Sequence, residues 1–292
     1  MVISNIIGGL GNQMFQFAAG RGVSLRHHTP LALDISGFSN YTLHQGFELA
    51  RVFSGIFNVC DEADIRQVLG WWSAKSVRRI FSHLPSFITK GSELALEPHF
   101  HYWPGVEHLS SDCYLSGYWQ SERYFGDCES QIRADFSFKQ PPVGLNAVVA
   151  EAIRQCNSVS LHVRRGDYVS NPHTLATHGL CPPSYYESAI RYMSERVGDA
   201  HLFVFSDDMD WVKNSIEINL PHTYVHHNHG SDSHNDMMLM SMCQHHIIAN
   251  SSFSWWGAWL NPKAGKIVVA PKRWFVNQRN VEDLIPVGWV KL

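Results

Sequence analysis

Val159-Ser160-Leu161-His162-Val163-Arg164-Arg165-Gly166-Asp167-Tyr168 is an apolar run that halts on two adjacent arginines. Its first five residues read as a buried strand. Similar short apolar runs recur at 202–205, 223–226, 246–249 and 267–270. Helical stretches lie between them at 184–197, entered through Pro182-Pro183, and at 209–218, 236–244 and 252–260. Short apolar strands alternating with helices predict a parallel, doubly wound α/β sheet. In such a sheet ligands bind outside the carboxyl ends of the strands, which draws attention to the residues that follow each run.

Working outward, residues 2–7 read as a strand and 12–26 as a helix with Met14, Phe17, Ala18 and Leu25 on one face. A second strand at 31–35 completes a β-α-β unit. From about 40 to 110 the pattern suggests several short helices and no strong strand. A strand is expected at 113–119 and a helix from Ser121 toward Ala134. Gln140-Pro141-Pro142-Val143-Gly144 is the best boundary, dividing the chain into units 1–142 and 143–292. The 292 residues suffice for two compact units, at a prior of about 150 residues each.

Composition excludes several classes. The formal net charge of −3 leaves no basic excess to hold a nucleic-acid backbone, and 12% aromatic residues argue against disorder. No apolar run approaches the roughly 20 residues that cross a bilayer. The opening Met1-Val2-Ile3-Ser4-Asn5 has no basic n-region and no cleavage site, so a cytoplasmic chain is expected, with at most peripheral contact at the inner face of a membrane. The six cysteines form no Cys-x-x-Cys pair and read as reduced thiols, largely buried. Of the eighteen histidines several crowd between His222 and His246, yet no His-Glu-x-x-His occurs, and a polar loop with capping histidines explains them better than a metal.

Three strand ends carry chemistry. Arg164 and Arg165 can form bidentate, charge-assisted bonds to phosphate oxygens, or Arg164 can pair structurally with Asp167. Ser206-Asp207-Asp208 offers a carboxylate to a base N–H or a ribose hydroxyl. Asn250-Ser251-Ser252-Phe253 is a polar turn opening a helix, where backbone N–H groups and hydroxyls face an anion at the positive dipole end, and a serine there serves as N-cap in any case. Trp255 and Trp256 read as packing. Asp208-Met209-Asp210 matches a metal-binding Asp-x-Asp, but Asp210 reads as a first-turn helix acid. Gly8-Gly9-Leu10-Gly11-Asn12-Gln13 has Met14 where a third Rossmann glycine belongs, and no Gly-Lys-Ser/Thr follows. It remains a turn that can bring backbone close to a ligand. Together these groups suit a nucleoside diphosphate, with the glycine turn as the other wall of an interdomain cleft.

The ordered segments Gly8 to Gln16, Gly117-Tyr118-Trp119-Gln120-Ser121-Glu122, His162 to Tyr168, Phe205 to Asp208 and Ile248 to Ala258 resemble the α-1,2-fucosyltransferase family, glycosyltransferase family 11, of bacterial type. The resemblance implies a GT-B architecture of two facing Rossmann-like domains. It also implies GDP-β-L-fucose as donor, with inversion to an α-L-fucoside on O2 of a terminal galactose, and no metal or other cofactor. The implied acceptor is a galactose-terminated oligosaccharide or a lipid-linked glycan of O-antigen or capsule type. By analogy with related fucosyltransferases, Arg164 grips the diphosphate with Arg165 assisting. His162 and Asp207 approach guanine or ribose, Ser251 and Ser252 the phosphate oxygens, and Asn12 the β-phosphate or fucose. Gly9, Gly11, Ser206, Asn250 and Phe253 complete the expected substrate contacts. For the base that deprotonates the acceptor, His178, in the loop leaving the first strand of the nucleotide domain, ranks ahead of Asp167, Asp34 and Glu122. The rivals are another GDP-sugar transferase on the same scaffold, a non-catalytic nucleotide- or glycan-binding protein, and a metal-dependent transferase using Asp208-Met209-Asp210.

Overall fold

The computed structural model describes residues 1–40, 45–73, 93–166, 169, 171–277 and 279–292, with only the backbone described at Asn40, Trp71, Trp72 and His173. The chain divides into two units: Met1–Lys139 with Asn280–Pro286, and Gln140–Arg279 with Val287–Leu292. The polypeptide therefore returns to the first unit for one short segment near its end, beyond the single crossing that the proline-rich linker suggests.

In the N-terminal unit, β1 (Val2–Asn5) leads through a glycine turn into α1 (Leu10–His27) and then β2 (Leu31–Asp34). Short helices follow, α2 (Leu49–Val52) and α3 (Glu62–Leu69), then β3 (Leu94–Leu96), β4 (Cys113–Ser116) and α4 (Glu129–Asp135). The strands among the described residues form a parallel sheet in the order β2-β1-β4-β3. Its core includes Ile3, Ile65, Val68, Leu94 and Tyr114. A separate aromatic cluster joins Phe17, Phe53 and Phe136, with ring centroids 5.0 to 5.4 Å apart along the chain of contacts.

Three expectations for this unit are corrected. Residues 40–110 do contain a strand, β3, recognisable by its pairing with β4 rather than by any pattern in three residues. The stretch after Ser121 is not one helix: 3₁₀ turns at Glu122–Tyr124 and Gly126–Cys128 precede α4, because Tyr124 and Phe125 turn inward and are 1% exposed. Helix α1 begins at Leu10, two residues early, so Gly11 and Asn12 lie in its first turn.

The C-terminal unit begins with α5 (Leu145–Arg154), which the sequence pattern did not announce, and β5 (Asn157–Val163). Then come α6 (Pro172–His178), α7 (Pro183–Ser194), β6 (Ala200–Ser206), α8 (Met209–Ser215) and β7 (His222–Val225). The rest comprises α9 (His234–Met242), β8 (His245–Ile247), α10 (Ser252–Leu260), β9 (Val268–Ala270) and β10 (Val290–Lys291). All described strand pairs are parallel, in the order β10-β9-β8-β5-β6-β7. Strand β5 is central and buried from Ser158 to Val163, as a parallel strand covered on both faces must be. Val159, Leu161 and Val163 meet Tyr185, Ala189, Ile190 and Met193 of α7. Pro183 suits the first turn of α7, where its missing N–H has no partner to lose, and Asn261-Pro262 stops α10.

Several histidines of 222–246 are tied into the fold. His246 is fully buried between the Ser160 hydroxyl, 2.8 Å from Nδ1, and Asn261 Nδ2, 2.9 Å from Nε2. His227 meets Asn146 Oδ1 at 2.8 Å, beside a reciprocal Asn146–Asn228 amide pair. Asn228 also donates to Asp236, whose carboxyl burial pushes up to about 7 against that bond. Among the described residues no group of three or more His, Cys, Asp or Glu is placed to hold a metal ion.

Candidate active site

The register of two parallel strands builds the centre of the site. Val163 of β5 stands opposite Ser206 of β6, so the next residues along each strand, Arg164 and Asp207, then Arg165 and Asp208, meet in turn. Arg164 Nη1 lies 2.8 Å from Asp207 Oδ2, and Arg165 Nε lies 3.0 Å from Asp208 Oδ2. Asp207 Oδ1 accepts from the Arg165 backbone N–H at 2.8 Å, so both its oxygens hold the arginine turn. A Cβ at Gly166 would stand 2.7 Å from Asp207 Oδ2, which is why the turn has a glycine there.

The two arginines differ. The Arg165 guanidinium lies 3.9 Å over the Trp211 ring while also held by Asp208, and its side chain is 16% exposed. Asp208 in turn caps α8, accepting from the Trp211 N–H at 3.2 Å, while the Ser206 hydroxyl accepts from the Asp208 N–H at 3.0 Å. Arg165 is thus a strut between β5 and α8. The Arg164 side chain, oriented by Asp207, is 27% exposed, more open to solvent than that of Arg165.

Behind them His162 is 5% exposed, and its Nδ1 has no hydrogen-bond partner among the described residues. Burial drives its pKa down to about 4; Asp207 opposes the shift and Arg164 adds to it. Burial wins, so the ring is neutral at pH 7. The Phe253 ring stands 5.8 Å from it.

Phe253 belongs to the third strand end. Ser251 is the N-cap of α10, its hydroxyl accepting from the Phe253 N–H at 3.3 Å, and Ser252 begins the helix. Trp255 and Trp256 are fully buried, edge to face at 5.0 Å, so they are packing rather than a ligand platform. Asn250 is 2% exposed: its amide donates to the carbonyls of His178 at 2.9 Å and Trp274 at 3.1 Å, and Cys181 Sγ reaches its Oδ1 at 3.4 Å. It braces the turn and is not placed as a substrate contact.

His178 ends α6 rather than lying in a loop, with its ring 5.1 Å from Phe275. With Tyr185, Lys272 and Phe275 it lines a cavity of about 740 Å³ in this unit. Asp167 and Tyr168 fall outside the described residues.

The remaining expected residues belong to the N-terminal unit. Gly9 is the N-cap of α1, its carbonyl accepting from the Asn12 and Gln13 amides; Gly11 is buried within the helix. Asn12 Oδ1 accepts from Gln120 Nε2 at 2.8 Å. Asp34, weighed as a base, accepts from the Tyr114 hydroxyl at 2.6 Å and is 2% exposed. Sequence reasoning missed Asp208, Trp211 and Gly166 as supports of the arginines. Their signal was the register, which pairs residues far apart in the chain.

Residues 99–292 match the family model Glycosyl transferase family 11. The chain is 37% identical to the alpha-1,2-colitosyltransferase of Escherichia coli, over 100% of this chain and 99% of that protein. It is 35% identical to the O-antigen biosynthesis glycosyltransferase WbnK of Escherichia coli, over 99% of each. The crystal structure of NodZ alpha-1,6-fucosyltransferase co-crystallised with GDP aligns with a TM-score of 0.56 at 15% identity, covering 89% of this chain and 92% of that one, a likeness of fold. The chain belongs to glycosyl transferase family 11.

Proposed function

We propose that the protein transfers L-fucose from GDP-β-L-fucose to O2 of a galactoside, with inversion, in the assembly of an O-antigen or related glycan. The observation that carries this reading is Arg164, oriented by Asp207 at the end of β5, in the same sheet edge as the amide-rich start of α10. The α-1,2 linkage is supported by the name of the colitosyltransferase relative, and the pathway by that of the O-antigen relative.

The acceptor hydroxyl attacks the anomeric carbon as the bond to the diphosphate breaks. The bonding pair leaves with GDP, and the hydroxyl proton passes to a base, for which His178 is the first candidate and Asp167 the second. Negative charge grows on the β-phosphate, where a fixed guanidinium and helix-start N–H groups stabilise the transition state more than the ground state. These donors suffice electrostatically, so we expect activity to survive excess EDTA. Arg165 holds α8 in place rather than sharing the phosphate. No helix among the described residues is long and apolar enough to cross a membrane, and we place the protein in the cytoplasm, at most peripheral to the membrane's inner face.

The specific alternative is colitose transfer, favoured by the 37% identity over the whole chain. Colitose is L-fucose without its 3-hydroxyl. A site built to bond a hydroxyl rejects the analogue that lacks it by up to about 10⁴–10⁵. Turnover with GDP-fucose, GDP-colitose and GDP-mannose on a galactoside panel, with the product linkage read by NMR, tests the proposal. The expected result is an α-1,2-fucoside, with GDP-fucose preferred over GDP-colitose by at least about a hundredfold. A preference for GDP-colitose would overturn fucose as the donor sugar and leave the transfer chemistry intact.

A further inference from the structure

The cavity of about 740 Å³ that His178 lines opens at the carboxyl ends of β9 and β10, and every residue around it belongs to the C-terminal unit. Lys272 and Arg273 follow β9, Leu292 follows β10, and Ser184, Tyr185 and Ser188 lie on the first two turns of α7. Its volume is that of a small-molecule site. Arg164, Asp207, Ser251 and Ser252 do not line it. It is a second pocket on the sheet edge that carries the arginine turn.

The walls are fixed by hydrogen bonds. Asn250 Nδ2 donates to the His178 carbonyl at 2.9 Å and to the Trp274 carbonyl at 3.1 Å, so one buried amide ties the end of α6 to the loop after β9. The Val276 N–H donates to the Thr177 carbonyl at 3.0 Å, and the Lys272 N–H to the Leu292 carbonyl at 2.6 Å. The Tyr185 hydroxyl donates to the Ile248 carbonyl at 2.6 Å, which locks its ring as a wall. Gly179 sits at φ +64, and a Cβ there would stand 2.8 Å from Val276 Cγ2, so glycine lets these two walls approach. A shape held before a ligand arrives lowers the ordering cost of binding. Asn250 also precedes Ser251, the N-cap of α10, so the brace of the cavity and the start of that helix are consecutive residues.

The chemistry of the lining has one sign. Lys272 and Arg273 are exposed cations; among the described residues Lys272 has no ion-pair partner, and Arg273 donates to the Val276 carbonyl at 3.0 Å. No aspartate or glutamate side chain is among the lining residues. Pro182 starts α7 without a side-chain cap, and Ser184 stands in the first turn, at the positive end of the helix dipole. The Ser184 and Ser188 hydroxyls can each donate a hydrogen bond. These groups suit an anion carried on a larger, partly apolar body. In the strand order the end of β9 is two strands from that of β5. At the usual strand spacing this is a span on the order of 10 Å, which a short oligosaccharide bridges.

We propose that this cavity is an acceptor subsite for an anionic group, a phosphate or a carboxylate, carried on the glycan beyond the galactose that receives the transferred sugar. Lys272 and Arg273 face its charge, and Ser184 and Ser188 bond its oxygens. This rests on the transfer reading of the same sheet edge, with the donor diphosphate at the arginine turn. Binding energy from a group remote from the reacting atoms then orients the acceptor, so an acceptor that lacks the anion loses rate.

Full-length wild type, Lys272→Met and Lys272→Glu are assayed with three acceptors that share a terminal galactose. Methyl β-lactoside is neutral, lactose 1-phosphate carries a phosphate and lactobionate a carboxylate. The donor is the GDP-sugar that the wild type uses, at low ionic strength. In the wild type kcat/KM should be at least about fivefold higher for an anionic acceptor than for methyl β-lactoside, the scale of a partly exposed ion pair, and the acceptor that responds says which anion is recognised. Lys272→Met should lower that ratio at least about threefold, and Lys272→Glu should bring it to one or below. A smaller wild-type ratio for both anions, or a ratio that these substitutions leave in place, overturns the proposal. Calorimetry supplies a readout that needs no transfer: with GDP saturating, the preferred anionic acceptor should bind wild type at least about fivefold more tightly than Lys272→Glu, and equal affinities overturn the proposal. Should Lys272→Glu fail to fold, Lys272→Met carries both measurements. A wild type that transfers to none of the acceptors overturns the underlying reading, and calorimetry then decides whether the cavity takes an anion; transfer without preference for an anion overturns this inference alone.

Discussion

At the carboxyl edge of the C-terminal sheet the turn after β5 is held by ions: Arg164 on Asp207, Arg165 on Asp208 and over Trp211. At the same edge of the N-terminal sheet the turns after β1 and β4 are held mainly by amides: Gln120 on Asn12, Gln16 on the Gly117 carbonyl, Gln13 on the Gly8 carbonyl. The difference teaches where each unit is expected to contribute. Formal charge belongs where a leaving group accumulates charge, and its partners must hold it without removing it from reach. Neutral amides orient a substrate without adding a charge that water would have to screen. Glu97 is the charged exception on the amide side, and it spends both oxygens on backbone N–H groups.

Four results would break or sharpen this contrast. The largest effect is expected at Arg164: its replacement by alanine should lower turnover at least about a hundredfold, the scale of losing one transition-state donor. A loss under about threefold would remove the phosphate role from that edge.

Next is the neutral ring behind it. With its folded pKa near 4 against an ordinary 6.5, His162 favours the native state above pH 6.5, and that advantage is lost as the pH falls from 6.5 toward 4, because the unfolded chain takes up the proton first. The change is on the order of 3 kcal/mol. Denaturant unfolding of wild type and His162→Gln should therefore converge by about that amount across the window. Parallel curves would mean that the ring is solvated. Glu97 and Asp236, each pushed up to about 7, work in the opposite sense: both strengthen the fold as the pH falls from 7, which is why the comparison is made against the variant.

On the amide side, Asn12→Ala should cost about tenfold in turnover and little in GDP affinity, since a neutral donor is worth less than a guanidinium. A loss equal to that of Arg164→Ala would erase the contrast between the two edges. The smallest effect is expected at Arg165. Replacement by alanine should change GDP affinity by less than about threefold and lower unfolding stability by about 1 kcal/mol, the order of a partly exposed cation–π contact and ion pair. A hundredfold loss of affinity there would make it a phosphate ligand after all.

Much of this was legible in the sequence where burial on both faces leaves a continuous apolar run. Strands β5 and β6 and the helices between the strands of the C-terminal unit read clearly for that reason, and so did the three polar turns at their ends. The N-terminal unit reads poorly because its elements are short: three residues of β3 carry no period, and Tyr124 and Phe125 abandon helix geometry to reach the core. Chemistry was legible as residue type but not as partnership. Arg164 stood out, yet its partner Asp207 is assigned by strand register, and Asn250 looked like a ligand because a polar residue at a helix start gives no sign of being sealed beneath it. Glu97 gave no sequence signal, since its partners, the Tyr118 and Trp119 amides, are brought to it by the register of a neighbouring strand.

The proposed function places a diphosphate against Arg164 and the Ser251–Ser252 turn. A crystal structure with GDP tests it most directly. Phosphate oxygens are expected within hydrogen-bond distance of the Arg164 guanidinium and of a backbone N–H at the start of α10. Nucleotide bound elsewhere, or phosphates that leave the Arg164–Asp207 pair untouched, would contradict it.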